Sequence, residues 1–209
     1  MLCLIFFCSL KLALGGTNAP GLAVTFSSIV DRQSTDTIVL PNFALYIAAS
    51  NSPTPLLSPG QFTAAWEGIV SVDLRSEYFF SADLSGGLKL EVNGTLVFDQ
   101  PPTNSGLTPG LFSKAIRLNK GANPVKAVFT SPKGGHALLR IGWTEKGTNT
   151  MPIPPSALSH SDSAAVERSH QLALGRELFI EHRCAKCHIA DNATADMQMD
   201  APGFDELDY

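Results

Sequence analysis

Apolar and polar residues alternate along most of the first two thirds of the chain. Leu88-Lys89-Leu90-Glu91-Val92 alternates strictly, which sets Leu88, Leu90 and Val92 on one face of a strand. Asn93-Gly94 follows, a pair in which both positions tolerate positive φ and so mark a two-residue hairpin turn. Thr95-Leu96-Val97-Phe98 supplies the returning arm. The same pattern predicts strands over Leu22–Phe26, Thr37–Leu40, Phe43–Ala48, Phe62–Val72, Tyr78–Ala82, Val125–Thr130 and Ala137–Trp143. Short strands broken by Gly, Pro and Asn, with no room between them for crossover helices, predict an antiparallel sandwich or barrel.

The pattern changes after Thr148–Ser156, which reads Thr-Asn-Thr-Met-Pro-Ile-Pro-Pro-Ser. Proline cannot donate to a ladder and biases the residue before it to extended geometry. Residues 147–162 are therefore expected to form a semi-rigid spacer between a β domain over 20–146 and a second unit over 163–209. In that second unit Val166, Leu172, Leu174, Leu178 and Phe179 recur at helical spacing behind a capping Ser163, predicting a helix from about Ser163 to Glu181.

Composition supports a two-part chain. The 209 residues are 44% apolar and 16% charged, enough apolar content for a packed core. Ten acidic and four basic side chains fall in residues 161–209, leaving nine against eleven in residues 1–160. No basic cluster is present, which argues against a nucleic-acid partner. The opening run Leu2–Leu10, with Cys3 and Cys8, has the length of a signal-peptide apolar region, and Ala13-Leu14-Gly15 supplies small residues for cleavage. Residues 1–16 are thus expected to be a signal peptide, although a basic start is missing and a buried first strand is the alternative. Export to the periplasm or medium follows from that expectation. No later segment reaches transmembrane length, so no transmembrane anchor is expected.

The segments Phe62–Gly68, Glu77–Asp83, Gly87–Gly94, Leu118–Gly121 and Leu138–Trp143, in this order, resemble the protective-antigen fourteen-kilodalton (PA14) module, a β-sandwich attached to many secreted enzymes, adhesins and toxins. The resemblance spans about Gly21–Glu145. It implies a carbohydrate or cell-surface ligand, held in that family by two adjacent aspartates and calcium. The matching place here reads Asp83-Leu84-Ser85-Gly86-Gly87, with one carboxylate. Calcium takes several hard oxygen ligands, so it is not expected as a cofactor and Asp83 reads as a turn residue. Trp66 and Trp143 can be sugar platforms, but aromatic residues in sandwich strands are more often core. His136 reads as a loop histidine without a visible partner.

The sharpest motif is Cys184-Ala185-Lys186-Cys187-His188. Two thiols three positions apart can form thioethers to the two vinyl groups of a haem, and the adjoining histidine then serves as axial ligand to its iron. Thioredoxin-type redox motifs, zinc half-sites and a short disulfide loop share the thiol pair, while His188 favours haem. The preceding Gly175-Arg176-Glu177-Leu178-Phe179 resembles the N-terminal helix of class I c-type cytochromes. That resemblance implies covalent haem c on Cys184 and Cys187, His188 on the iron, and redox partner proteins. For a sixth ligand Met197 and Met199 are candidates, with His160, His170 and His182 behind them. Asp200–Phe204 is similar to the family's loop after the attachment site, so the sequence is expected to stop within that domain.

The expected fold class is therefore mainly β: an antiparallel β-sandwich followed by a small, incomplete α-helical cytochrome c-like segment. The leading expectation for function is an exported electron-transfer haem protein with the sandwich as an accessory for binding or spacing. The alternatives are a secreted carbohydrate- or surface-binding module without haem, and a fragment of a larger haem-containing oxidoreductase. No serine–histidine–aspartate order and no phosphate-cradling glycine loop point to a catalyst.

Overall fold

The computed structural model describes residues 18–184 apart from 32, 105, 146 and 147. The expected signal peptide with Cys3 and Cys8, and Cys187, His188, Met197 and Met199, lie outside the described residues. In chain order the strands are β1 (Asn18–Pro20), β2 (Leu22–Ser28), β3 (Thr35–Leu40), β4 (Ala44–Ile47), β5 (Phe62–Val72), β6 (Ser76–Ser85) and β7 (Gly87–Val92). They continue as β8 (Thr95–Gln100), β9 (Thr108–Phe112), β10 (Ile116–Leu118), β11 (Gly121–Thr130), β12 (Ala137–Glu145), β13 (Met151–Pro152) and β14 (Leu158–Ser161), before helix α1 (Ala164–Glu181).

All pairings are antiparallel and fall into two sheets. The larger runs β1-β14-β5-β11-β7-β8, with β2 also beside β5 and β3 beside β2. The smaller runs β10-β6-β12-β13, with β4 also on β12 and β9 on β6. Alternation along the strands faces one row inward from each sheet. Phe26, Phe62 and Phe129 form a ring series, with centroids 5.9 and 6.2 Å apart, and Phe43 meets Trp66 at 6.3 Å. Leu84, Leu90 and Leu139 complete the centre with no exposed surface. Trp66 is wholly buried among them, so it is core and not a sugar platform.

The predicted hairpin is present. Leu88, Leu90 and Val92 are buried, and Asn93 and Gly94 turn the chain at φ +52° and +72°. The turn is fastened from the neighbouring strand β11, where wholly buried Asn123 takes a hydrogen bond from Asn93 Nδ2 at 2.8 Å. Asn123 Nδ2 in turn donates to the carbonyls of Val70, Asn119 and Gly121.

The Pro-rich stretch departs from expectation. Residues 151–161 are not a spacer but part of both sheets, with β13 at the end of the smaller and β14 between β1 and β5 in the larger. β13 pairs with β12 through Gly142↔Pro152 and Trp143↔Met151. After a 3-10 turn at Pro155–Ala157, β14 pairs with β5 through Leu158↔Val70 and with β1 through Asn18↔Ser161. Ile153, Leu158 and His160 are buried. The prolines do not obstruct this, because each sits in a two-residue edge strand or a turn where its missing donor is not needed. Gly68 marks the point where β14 takes over from β2 along β5. A Cβ there would lie 2.5 Å from both the Leu22 side chain and the Ser159 carbonyl oxygen.

The helix forms where its cap predicts. Ser163 Oγ accepts from the Val166 N–H at 3.2 Å, Glu167 sits in the first turn, and Gln171 donates to Glu167 at 2.9 Å. None of its residues is buried, and Leu172, Leu174 and Leu178 are about half exposed. Its main contact with the sandwich is along β3. Arg183, in the left-handed region at φ +51°, ends the helix and turns the chain into Cys184. Nothing described confirms a cytochrome-like helical domain beyond this single helix. No described helix is long and apolar enough to cross a membrane.

Candidate functional site

The outer face of the smaller sheet carries the most distinctive arrangement of side chains. β6 and β12 pair through Asp83↔Arg140 and Ser81↔Gly142, and each pair points to the same, outer side. Flanking strands add an aromatic side chain on either side. Tyr46 of β4 pairs with Leu138, Phe112 of β9 pairs with Ser81, and both rings are mostly exposed. On the same face lies an open groove of about 330 Å³ lined by Phe43, Ser81, Asp83, Arg140, Gly142 and Met151, among others, with the two rings outside its lining.

The groove exists because the edge of β12 changes neighbours. β4 covers it over residues 137–140 and β13 over 142–143, and at the gap Ile141 N–H donates to the Phe43 carbonyl at 3.0 Å. Gly142 suits this gap, since a Cβ would lie 2.8 Å from the Met151 carbonyl oxygen and 3.0 Å from Ser81 Oγ.

Asp83 is not a turn residue as expected. It lies inside β6, which runs three residues further than the sequence pattern predicts. One carboxylate oxygen accepts the Gly110 N–H at 2.7 Å across a register shift in the β6–β9 pairing. The carboxylate keeps further acceptor capacity toward the groove. Leu84, where the family pattern has a second carboxylate, is fully buried in the core. A change there to aspartate would bury a charge rather than complete a metal site.

The other candidates separate. Trp143 is 7% exposed and stacks on Tyr78 with centroids 4.8 Å apart, a core position that reaches a cleft at the end of the sandwich. His136 does have a partner, the Tyr46 ring at 5.7 Å, which it supports from the following loop. His160 is no surface helix histidine: it is buried on β14, with Nδ1 3.2 Å from the Gly21 carbonyl oxygen. His170 and His182 are exposed, on α1 and at its C-cap. Cys184 is a partly exposed free thiol three positions past the helix end. Among the described residues no group of three or more His, Cys, Asp or Glu gathers where it could hold a metal ion.

Sequence reasoning singled out Asp83 but missed Arg140, Tyr46 and Phe112. The available signal was the alternation Leu138-Leu139-Arg140-Ile141-Gly142, which faces an arginine and a bare glycine outward together.

No family model and no curated protein sequence matches the chain. Solved structures match its fold. An anti-sigma factor domain-containing protein aligns at TM-score 0.60 and 20% identity over 69% of this chain and 48% of that one. This chain therefore spans about half the length of that neighbour. The PA14 domain of the MpAFP antifreeze protein aligns at 0.56 and 12% identity, over 70% of this chain and 94% of that one. The PA14 sugar-binding domain of an RTX adhesin aligns at 0.56 and 17%, over 68% and 99%. The sandwich of this protein has the PA14-type fold.

Proposed function

We propose that the sandwich is a binding module for a surface carbohydrate, which is held in the groove by Asp83, Arg140 and Ser81 and extends onto the exposed Tyr46 and Phe112 rings of the same sheet face. One observation carries this reading. An acceptor, Asp83, and a fixed fork of donors, Arg140, are cross-strand partners on an open sheet face that also bears two exposed aromatic rings. Vicinal hydroxyls offer both donors and acceptors, and the C–H face of a sugar ring packs on an aromatic face. A few polar groups converging in a mostly apolar groove are what a small-ligand site needs. The RTX adhesin neighbour, a PA14 sugar-binding domain, agrees with this reading. Because Leu84 replaces the second aspartate, binding through these residues does not depend on calcium.

The test is a glycan array followed by calorimetry on the full chain. Binding should persist in EDTA and fall at least about tenfold in Arg140→Gln and in Tyr46→Ala, in line with loss of a charged hydrogen bond or a stacking ring. Binding that vanishes with EDTA, or that survives both substitutions, would overturn the assignment.

A second reading concerns the segment after α1, favoured by Cys184 as a free thiol beside a helix whose Leu174, Leu178 and Phe179 lack a burying partner among the described residues. The donor set fits haem c: Cys184 and Cys187 would hold it by thioethers and His188 would bind the iron, which supplies one-electron chemistry when present. The two thioethers would tether the group at the end of α1. The protein, matured with cytochrome assembly machinery, should keep haem absorbance after denaturation, and Cys184→Ser should leave a single thioether. Complete loss of colour on acid–acetone extraction would refute covalent attachment. The two proposals stand or fall separately.

A further inference from the structure

A second cleft, with a separate lining, opens at the end of the sandwich between the β5–β6 turn and the 3-10 turn before β14. Its volume is about 380 Å³, and its lining includes Asp73, Leu74, Tyr78, Trp143, Glu145 and Ser156. The inner wall is aromatic: Tyr78 and Trp143, each 7% exposed, lie with ring planes 32° apart. The rim is acidic. Glu145 is the direct cross-strand partner of Tyr78, and Asp73 comes from the turn opposite. No described lysine or arginine forms an ion pair with either carboxylate.

The Tyr78 hydroxyl is the second, independent sign. The side chain is more than nine-tenths buried and makes no hydrogen bond with any described residue. Its titration is pushed upward first by burial, then by the negative charge of Glu145 and Asp73, which line the same cleft. The hydroxyl is not among the buried atoms left without a partner, so it opens into the cleft and is available to a ligand there.

We propose that this cleft binds an alkylammonium group, with its charge between Asp73 and Glu145, beside the Tyr78 hydroxyl, and its carbon atoms along Trp143 and Leu74. Two carboxylates without a third hard ligand do not make a calcium site, whereas an aromatic wall beneath an acidic rim suits an organic cation. The volume falls in the range of small-ligand sites. The ammonium can be borne by a lysine side chain of a protein partner or by a small quaternary amine, and the test separates the two.

The full chain is titrated with N-α-acetyl-lysine methylamide, with tetramethylammonium chloride and with the uncharged N-α-acetyl-norleucine methylamide, following the two indole N–H resonances. The Trp143 signal should move while that of Trp66, in the core, stays fixed. The dissociation constant is expected on the order of 1 mM or tighter, the scale of one ammonium on an aromatic site. A response to the lysine analogue alone identifies a protein-borne side chain, and a response to tetramethylammonium alone identifies a small quaternary amine. Asp73→Asn with Glu145→Gln should weaken binding about tenfold or more, and raising salt on the unaltered protein should weaken it in the same direction. Equal binding of the norleucine analogue, salt-independent binding, or no movement of Trp143 with either cation would overturn the proposal. The salt series needs no variant, so the answer does not depend on the double substitution folding.

Discussion

From Leu22 to Leu158 the sandwich buries alternate side chains strand after strand, whereas the eighteen residues of α1 bury none. Both segments hold leucines and aromatic residues, so composition is not what separates them. The difference is in arrangement. Each strand shares its inner row with its neighbours and with a facing sheet, and Phe26, Phe62 and Phe129 meet along the inner side of the larger one. On α1 the apolar positions are spread around the helix and meet little beyond β3. An isolated helix of this length is marginal in water, and the Ser163 cap, the Glu167–Gln171 bond and the contact with β3 each support its order. Hydrophobic residues stabilise only where a second surface is supplied.

The strongest way to break the comparison is to move the boundary. A fragment ending at 146 lacks β13, β14 and the buried Ile153 and Leu158, although the spacer reading would leave it intact. It should be less stable than a fragment ending at 162 by several kcal/mol, since losing one buried Leu or Ile side chain costs roughly 2–5 kcal/mol. Urea unfolding of the two fragments checks this, and equal midpoints would restore the spacer. Next in size is a pair of truncations. Phe129→Ala should cost about 3–5 kcal/mol, while Leu174→Ala on α1 should stay within about 0.5 kcal/mol. A comparable loss from Leu174→Ala would reveal a partner for the helix. The smallest effect is a pH dependence. The Tyr78 phenol is raised above its ordinary value of 10.0 mainly by burial, so the folded state holds its proton longer than the unfolded chain does. That contribution is fully present below the unfolded value and is lost as pH climbs through the folded one. Stability should therefore decline above pH 10, and Tyr78→Phe should flatten the decline.

The hairpin at Asn93-Gly94, all of β5 and the capped helix were legible because each carries a local cause: a turn pair, an alternating run, a capping hydroxyl. What escaped was long-range. β9 contains Pro109 and Gly110, and β13 and β14 are short and interrupted by Pro152, Pro154 and Pro155, so no local signal competes with a loop reading. They are strands because β6, β12, β5 and β1 offer them edges. The binding face failed to appear for the same reason. Asp83 and Arg140 lie 57 residues apart and become neighbours only through the register of β6 and β12.

The pairing of β1 with β14 has a mechanical consequence. Asn18 stands opposite Ser161, so the chain enters and leaves the sandwich at one point. Tension applied through those two ends would pull along the inter-strand hydrogen bonds of an antiparallel pair and open them one after another, as a zipper opens. Only three residue pairs join these strands. Force transmitted through the chain would peel β1 away first, loading β14 and its buried His160 before the ring-packed centre bears any strain.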